Sequence, residues 1–438
     1  MKQIFWIARR WLMLGALAAI AQAEPLPVLI MGDSLSEEYA FELPFSAPDS
    51  NPLVASARNW PEILSAHRAA EITLGSYNSA MLSYPDLRNG GYKYNFGVPS
   101  FKTTDWIAVS QATFFDTFSS DPIVALRYPT QLALIRQLED VGAVVIFLGG
   151  NDLKSNYTGI FFDAEPPALL AQTVANLGIL HDFIRAHAPA LPIVIATAPD
   201  IGATPEVFNK YTDPVLRTVA RGRIAAMNAN LIAMATARGA TVAPVHQLTD
   251  RVFDESPLNL NGTIFTLAPD PANPPTAMFC KDGFHPATMA QALIADILID
   301  ALNRATGRTI PRLANREILG PVLGLNPDQP YLDWAGAAGA MTDDLDGDGL
   351  PNLAEYGLGT APGTAGSPYI FAADGELSFA VSPVGSRFAS LTVEESTTLS
   401  SWQPVPTVRI TVRPDSSWQI RPSGAARTFY RLAVIPMP

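Results

Sequence analysis

The chain has 438 residues, 48% hydrophobic and 16% charged, a globular composition too long for one ordinary core, so two or more domains are expected. A formal charge of −12 makes nucleic acid and anionic membrane surfaces poor partners, because binding either draws on Lys and Arg. The single cysteine, Cys280, excludes intramolecular disulfides and cysteine-rich metal sites, and reads as a small, partly buried apolar residue.

In chain order, residues 1–23 read as a signal peptide. Lys2, Arg9 and Arg10 form a basic start, Trp11 to Ile20 a short apolar stretch, and Ala21-Gln22-Ala23 a small-x-small cleavage site. The apolar stretch is shorter than the roughly 20 residues a spanning helix needs, so cleavage is expected over anchoring. No later segment has the length and purity of a membrane span. The mature chain is therefore expected to be exported, to the periplasm, the cell surface or beyond a bacterium.

From residue 24 to 307 apolar strands alternate with amphipathic helices. The strands are "PVLIMG", "YNFGV", "AVVIFLGG", "PIVIATAPD" and "TVAPVHQL". Near-continuous apolar runs between helices predict a doubly wound parallel α/β sheet, whose ligands bind at the carboxyl ends of the strands. A final helix begins near Pro286, repeats Met289, Leu293, Ile294, Ile297, Leu298 and Leu302 on one face, and stops at Gly307. Two long irregular stretches, 41–92 and 253–279, are candidate walls or lids of a site. Residues 308–342 read as a linker, 343–360 as a calcium-loop segment, and 361–438 as a small all-β module with strands such as "LTVEES", "TVRITV", "SWQI" and "TFYRLAV".

Three motifs fall at strand ends of the α/β region: "GDSLS" (32–36), "GGND" (149–152) and "DGFHP" (282–286). Gly, Asp and Ser are ordinary turn residues, so each motif alone is weak. Together they supply what serine chemistry needs. A hydroxyl, Ser34, requires a base, His285, and the base requires a carboxylate, Asp282, to fix its tautomer. The developing oxyanion requires donors, which the Asn151 amide and the Ser34 backbone N–H provide.

These residues resemble the GDSL, or SGNH, hydrolase superfamily over roughly Pro27 to Gly307. The resemblance implies a flavodoxin-like hydrolase fold, with Ser34 as nucleophile, Asn151 in the oxyanion hole, and Asp282 and His285 completing the triad. The family's oxyanion glycine has no direct counterpart. Aligning on Asn95 in "NFGVPSFKT" places Ser100 there, with Gly97 as the fallback. Serine at that position would be strained if φ is positive. The Gly-x-Ser-x-Gly elbow of other α/β-hydrolases and Gly-rich nucleotide loops do not occur. His67, His181, His187 and His246 have structural or surface readings, and Glu37 and Glu38 suit the first turn of a helix.

The stretch "DLDGDGLPNLAE" fills a twelve-residue calcium loop position by position. Asp344, Asp346 and Asp348 take positions one, three and five, Gly349 the turn at six, the Leu350 carbonyl seven, Asn352 nine and Glu355 twelve. No helical pattern precedes it, so a structural Ca2+ clip is expected rather than a sensor. The β module looks like C-terminal modules of exported bacterial enzymes.

The expected function is an exported serine ester hydrolase acting on a small ester, a lipid or an acetylated polysaccharide through an acyl-serine intermediate, with no catalytic cofactor. The alternative is an inactive binding or adhesion protein that works through the calcium loop and β module.

Overall fold

The first strand, β1 (Leu26–Gly32), is apolar at nearly every position because both faces of its sheet are covered. The computed structural model describes residues 24–41, 45, 56–254, 257–337, 339–372 and 375–438. The signal-peptide expectation for residues 1–23 lies outside the described residues.

Along the chain follow β2 (Ile72–Thr73), a small antiparallel pair β3 (Tyr77–Asn78) and β4 (Gly91–Tyr92), then β5 (Asn95–Gly97), β6 (Ala143–Phe147), β7 (Ile193–Ala196) and β8 (Thr241–Ala243). The main sheet runs β2-β1-β6-β7-β8, with β5 also paired to β1, and every pair is parallel. Since β6 occupies one edge of β1, β2 and β5 share the other, against its first and second halves. This is the doubly wound α/β fold in flavodoxin-like order, and the strand order reverses between β1 and β6.

Alternate side chains of the strands enter two cores, as the period of two requires. Val28, Ile30, Val145, Phe147, Val194 and Ala196 pack with helices Trp60–His67 and Thr288–Thr306. Leu29, Met31, Val144, Ile146, Ile193 and Ile195 pack with helices Thr103–Ser110, Pro122–Leu138, Ala168–His187 and Pro214–Ala237. Local chemistry sets the helix ends. Asn59 and Glu62 form a reciprocal cap on the first helix, and Asp121 and Asp213 cap two others just before a proline. Gly307 closes Thr288–Thr306 at φ +71°. Among the described residues no helix is long and apolar enough to cross a membrane.

The two irregular stretches contain short elements. The first holds the helix Trp60–His67, and the second holds the hairpin β9 (Leu258–Leu260) and β10 (Thr263–Phe265). Beyond residue 360, β11 (Ile370–Phe371), β12 (Leu377–Ala380), β13 (Ala389–Ser396), β14 (Gln403–Pro404), β15 (Ile410–Val412), β16 (Ser417–Ile420) and β17 (Phe429–Pro436) form two small antiparallel sheets. Between them Leu377, Phe379, Val393, Val405 and Ile420 are buried.

The stretch 308–342 is not a free tether. Ile310, Leu313, Ile318, Leu319 and Leu323 are buried in the core beneath one face of the main sheet, with the helices Trp60–His67 and Thr288–Thr306. Further on, a helix at Gln329–Ala335 buries Tyr331 and Ala335 against Tyr356 and Phe388. A helix therefore does precede the acidic loop, and Pro and Gly in the stretch hide its short apolar spacing from a sequence reading.

Candidate active site

Ser34 leaves the end of β1 in a tight turn, and its Oγ lies 2.8 Å from His285 Nε2. On the other side of the imidazole, His285 Nδ1 lies 2.5 Å from Asp282 Oδ2. The hydrogen-bond pattern is met when Nδ1–H donates to Asp282 and Nε2 accepts from Ser34. Asp282 Oδ1 accepts the N–H groups of Phe284 and His285, at 3.0 and 3.1 Å. Burial alone would raise the Asp282 carboxyl, but these bonds and the neighbouring His285 hold it below the ordinary carboxylate range.

The turn carrying Ser34 is clamped from several sides. Asp33 Oδ1 accepts the Leu35 N–H at 2.9 Å, Asn59 Nδ2 donates to the Glu37 carbonyl at 2.5 Å, and Asn95 Nδ2 donates to the Ser36 carbonyl at 2.7 Å. Asp33, next to Ser34 in this turn, is buried. That burial pushes its carboxyl up to about 7, although the Leu35 N–H and the nearby His285 act to lower it.

Asn151 is the second residue of a short helix, Gly150–Ser155, after β6, across the strand-order switch from Ser34. Its Nδ2 donates to the Phe101 carbonyl at 3.2 Å, so it stands beside the loop that holds Ser100. Its neighbour Asp152 is buried and accepts from the Thr103 N–H at 3.0 Å and the Thr103 hydroxyl at 2.6 Å. Together they knit the 100–103 and 151–152 segments into one wall.

Ser100 takes φ +65°, the left-handed conformation that favours glycine, and it is exposed. Among the described residues neither the Ser34 nor the Ser100 N–H has a hydrogen-bond partner. At the fallback position, the Gly97 N–H donates to Asn95 Oδ1 at 3.1 Å. A Cβ there would stand 2.4 Å from the Glu37 backbone nitrogen, so this glycine serves the close approach of two chain segments.

Sequence reasoning missed the residues that set the His285 ring. Phe284 and Phe45 meet it edge-on, with centroids at 5.2 and 5.0 Å, and Tyr39 stacks on Phe45 at 3.6 Å. The Tyr39 hydroxyl donates to the Pro286 carbonyl at 3.0 Å and accepts from Gln291 Nε2 at 2.7 Å. Cys280 is wholly buried beneath the same loop, its N–H donating to the His285 carbonyl at 2.8 Å. The other histidines stand apart. His181 pairs with Asp182, His187 with the Phe183 carbonyl, and His246 with Thr197.

A cleft of about 450 Å3, counting its mouth, opens at Ser34 and Asn151, with Leu35, Ile201, Phe279 and Phe284 among its apolar walls. A second cleft of about 780 Å3, lined by Pro205, Phe208, Phe253, Leu267 and Pro269, flanks Gly283 through Pro205 and Pro269.

No curated protein sequence matched the chain. Solved structures similar to it include a putative GDSL-like lipase from Parabacteroides merdae (12% identity, 64% of this chain and 95% of that one, TM-score 0.35). An acetylxylan esterase from Geobacillus stearothermophilus is similar at 17% identity (66% and 98%, TM-score 0.34). A lipase/acylhydrolase from Enterococcus faecalis is similar at 12% identity (65% and 99%, TM-score 0.33). The model of the GDSL-like lipase/acylhydrolase family matches residues 28–298, more than half the chain. The chain belongs to the GDSL-like lipase/acylhydrolase family and is a carboxylic ester hydrolase.

Proposed function

We propose that the protein is an exported serine esterase in which Ser34 is the nucleophile, His285 the general base and acid, and Asp282 the group that orients the imidazole. The observation that carries this reading is the hydrogen-bonded row Ser34–His285–Asp282 at the carboxyl end of β1, where the strand order reverses. A binding scaffold has no need of that row.

In the proposed reaction Ser34 Oγ attacks the ester carbonyl while His285 Nε2 takes its proton. The tetrahedral oxyanion is held by the Ser34 and Ser100 N–H groups and by Asn151 Nδ2. Its collapse breaks the C–O bond to the alcohol, which leaves with the proton from His285. Water, deprotonated by His285, then attacks the acyl-serine. The acid is released and Ser34 regains its proton.

The substrate class proposed is an ester of a short acyl group, acetylated polysaccharide included, because apolar side chains converge on Ser34 around a small cleft. Export is supported by the basic start, apolar stretch and Ala21-Gln22-Ala23 of the sequence.

A fluorophosphonate probe followed by peptide mapping tests the site. The label is expected on Ser34, and a folded protein that takes no label there would overturn the reading. Ser34→Ala should lower turnover by about 10⁴-fold or more and Asn151→Ala by about 10²–10³-fold. Turnover should fall from acetyl to octanoyl esters. Mass spectrometry of the exported protein is expected to find Glu24 at its N-terminus.

A further inference from the structure

The acidic stretch 344–355 follows the helix Gln329–Ala335, and its last four residues form the first turn of the helix Asn352–Leu358. Carboxylate oxygens of Asp344, Asp346 and Asp348 all lie within 4.8 Å of one another. The loop is folded back on itself. Asp344 accepts the Gly347 and Gly349 N–H groups at 2.8 and 2.9 Å, and Asp348 accepts those of Leu350 and Gly366 at 2.9 and 3.0 Å. Gly349, at the sixth position, takes φ +93° to make the turn.

An acidic cluster of this kind occurs on many surfaces with nothing bound. Glu355 sets this one apart. It is 1% exposed, yet its Oε2 has no hydrogen-bond partner among the described residues, and Asp346 Oδ2 is likewise buried without one. Among the described residues the only hydrogen bond to the other Glu355 oxygen comes from the Thr360 hydroxyl, at 3.5 Å. Among the described residues no Lys or Arg pairs with any of the four acids. A carboxylate sealed from water, facing three others and short of donors, costs free energy that a hard cation recovers.

We infer that residues 344–355 form a calcium site, with Asp344, Asp346, Asp348, the Leu350 carbonyl, Asn352 and Glu355 as ligands, and that this cation fastens the C-terminal module to the hydrolase domain. The ligand types are all oxygen and the spacing is that of a twelve-residue calcium loop ending in a bidentate glutamate.

The fastening follows from where Glu355 sits. Its helix carries Tyr356, which packs with Tyr331, Trp334 and Phe388. Pro330, at the start of the preceding helix, stands 2.8 Å from where a Cβ on Gly262 would be, at the tip of the β9–β10 hairpin of the hydrolase domain. Asn261 at the same tip donates to the Met437 carbonyl at 3.2 Å. The loop, two helices, the chain end and the hairpin thus form one continuous contact, with four carboxylates at its far end.

The test uses the full exported chain, stripped with chelator and titrated with calcium chloride in a calorimeter, then melted with and without the cation. About one Ca2+ per chain is expected, with a melting midpoint raised by about 5 °C at saturation and a smaller effect of Mg2+. Glu355→Gln should abolish the heat of binding and the shift. If that variant fails to fold, the more exposed Asp346→Asn should weaken binding at least about tenfold. No heat and an unchanged midpoint in the parent protein would overturn the site, as would equal shifts with both cations. A rise confined to the hydrolase transition would overturn the fastening. Labelling of Ser34 by fluorophosphonate is independent of all these outcomes, so the esterase reading stands or falls separately.

Discussion

Ser100 keeps a backbone conformation that serine seldom adopts, and it does so beside Asn151. The cost of a left-handed non-glycine residue is about 1–2 kcal/mol. Ser100→Gly should therefore raise the unfolding free energy by about 0.5–1 kcal/mol in urea melts while leaving turnover within about threefold, because the N–H is retained. A large loss of turnover would mean that the hydroxyl, not the N–H, has the role. At this scale the sequence was informative where chemistry demands a residue type. Ser34, Asn151, Asp282 and His285 stand out because each follows an apolar run or opens a helix. Ser100 was ambiguous because spacing from Asn95 cannot tell which of two N–H groups is free, and Gly97 proved to be held by Asn95 itself. Tyr39 and Gln291 gave no signal, since they meet only across 252 positions of chain.

Among the elements, the stretch after the last hydrolase helix shows what short-range reading leaves out. Arg68, at the end of the helix Trp60–His67, is buried and donates to Glu317 at 2.6 and 2.7 Å, to the Pro311 carbonyl at 2.8 Å and to the Arg312 carbonyl at 2.6 Å. One side chain thereby fixes residues 311–317 against the α/β core. Replacing it leaves several acceptors without a donor, so Arg68→Ala should cost about 2–3 kcal/mol of stability, read as a lower urea midpoint at unchanged slope. An effect below about 0.5 kcal/mol would show the contact to be incidental. The parallel strands were legible because their apolar runs are unbroken. This segment was not, because its buried residues are spread among Pro, Gly and Arg and its anchor lies far upstream. The β9–β10 hairpin was hidden in the same way by the prolines that follow it.

For the molecule as a whole, buried acids shape the response to pH. Burial pushes Asp33, Glu38 and Glu62 up to about 7, and Asp200 up to about 6. Each keeps its proton in the folded state after the unfolded chain has released it. Their contribution is therefore greatest below the unfolded value near 4 and is lost as pH rises toward about 7. Asp282 acts in the opposite sense: its folded value is depressed, so its contribution is present above the unfolded value and fades as pH falls. The unfolding free energy should decline between about pH 4.5 and 7.5, and Glu38→Gln should flatten that decline. A curve that rises across the interval would contradict this account. None of this is visible from net charge, which records the balance of acids and bases and not which acids are dry.

The burial of Cys280 under the His285 loop has a practical consequence. It is the chain's sole cysteine, its thiol is sealed from solvent, and burial pushes its pKa well above the usual thiol range. Thiol reagents therefore meet a reactive sulfur only in the moments when this loop lifts away from the sheet, so the labelling rate becomes a clock for those openings. The protein carries its own single-site reporter of loop motion, one residue short of the carboxylate-bearing turn and independent of any ester turned over.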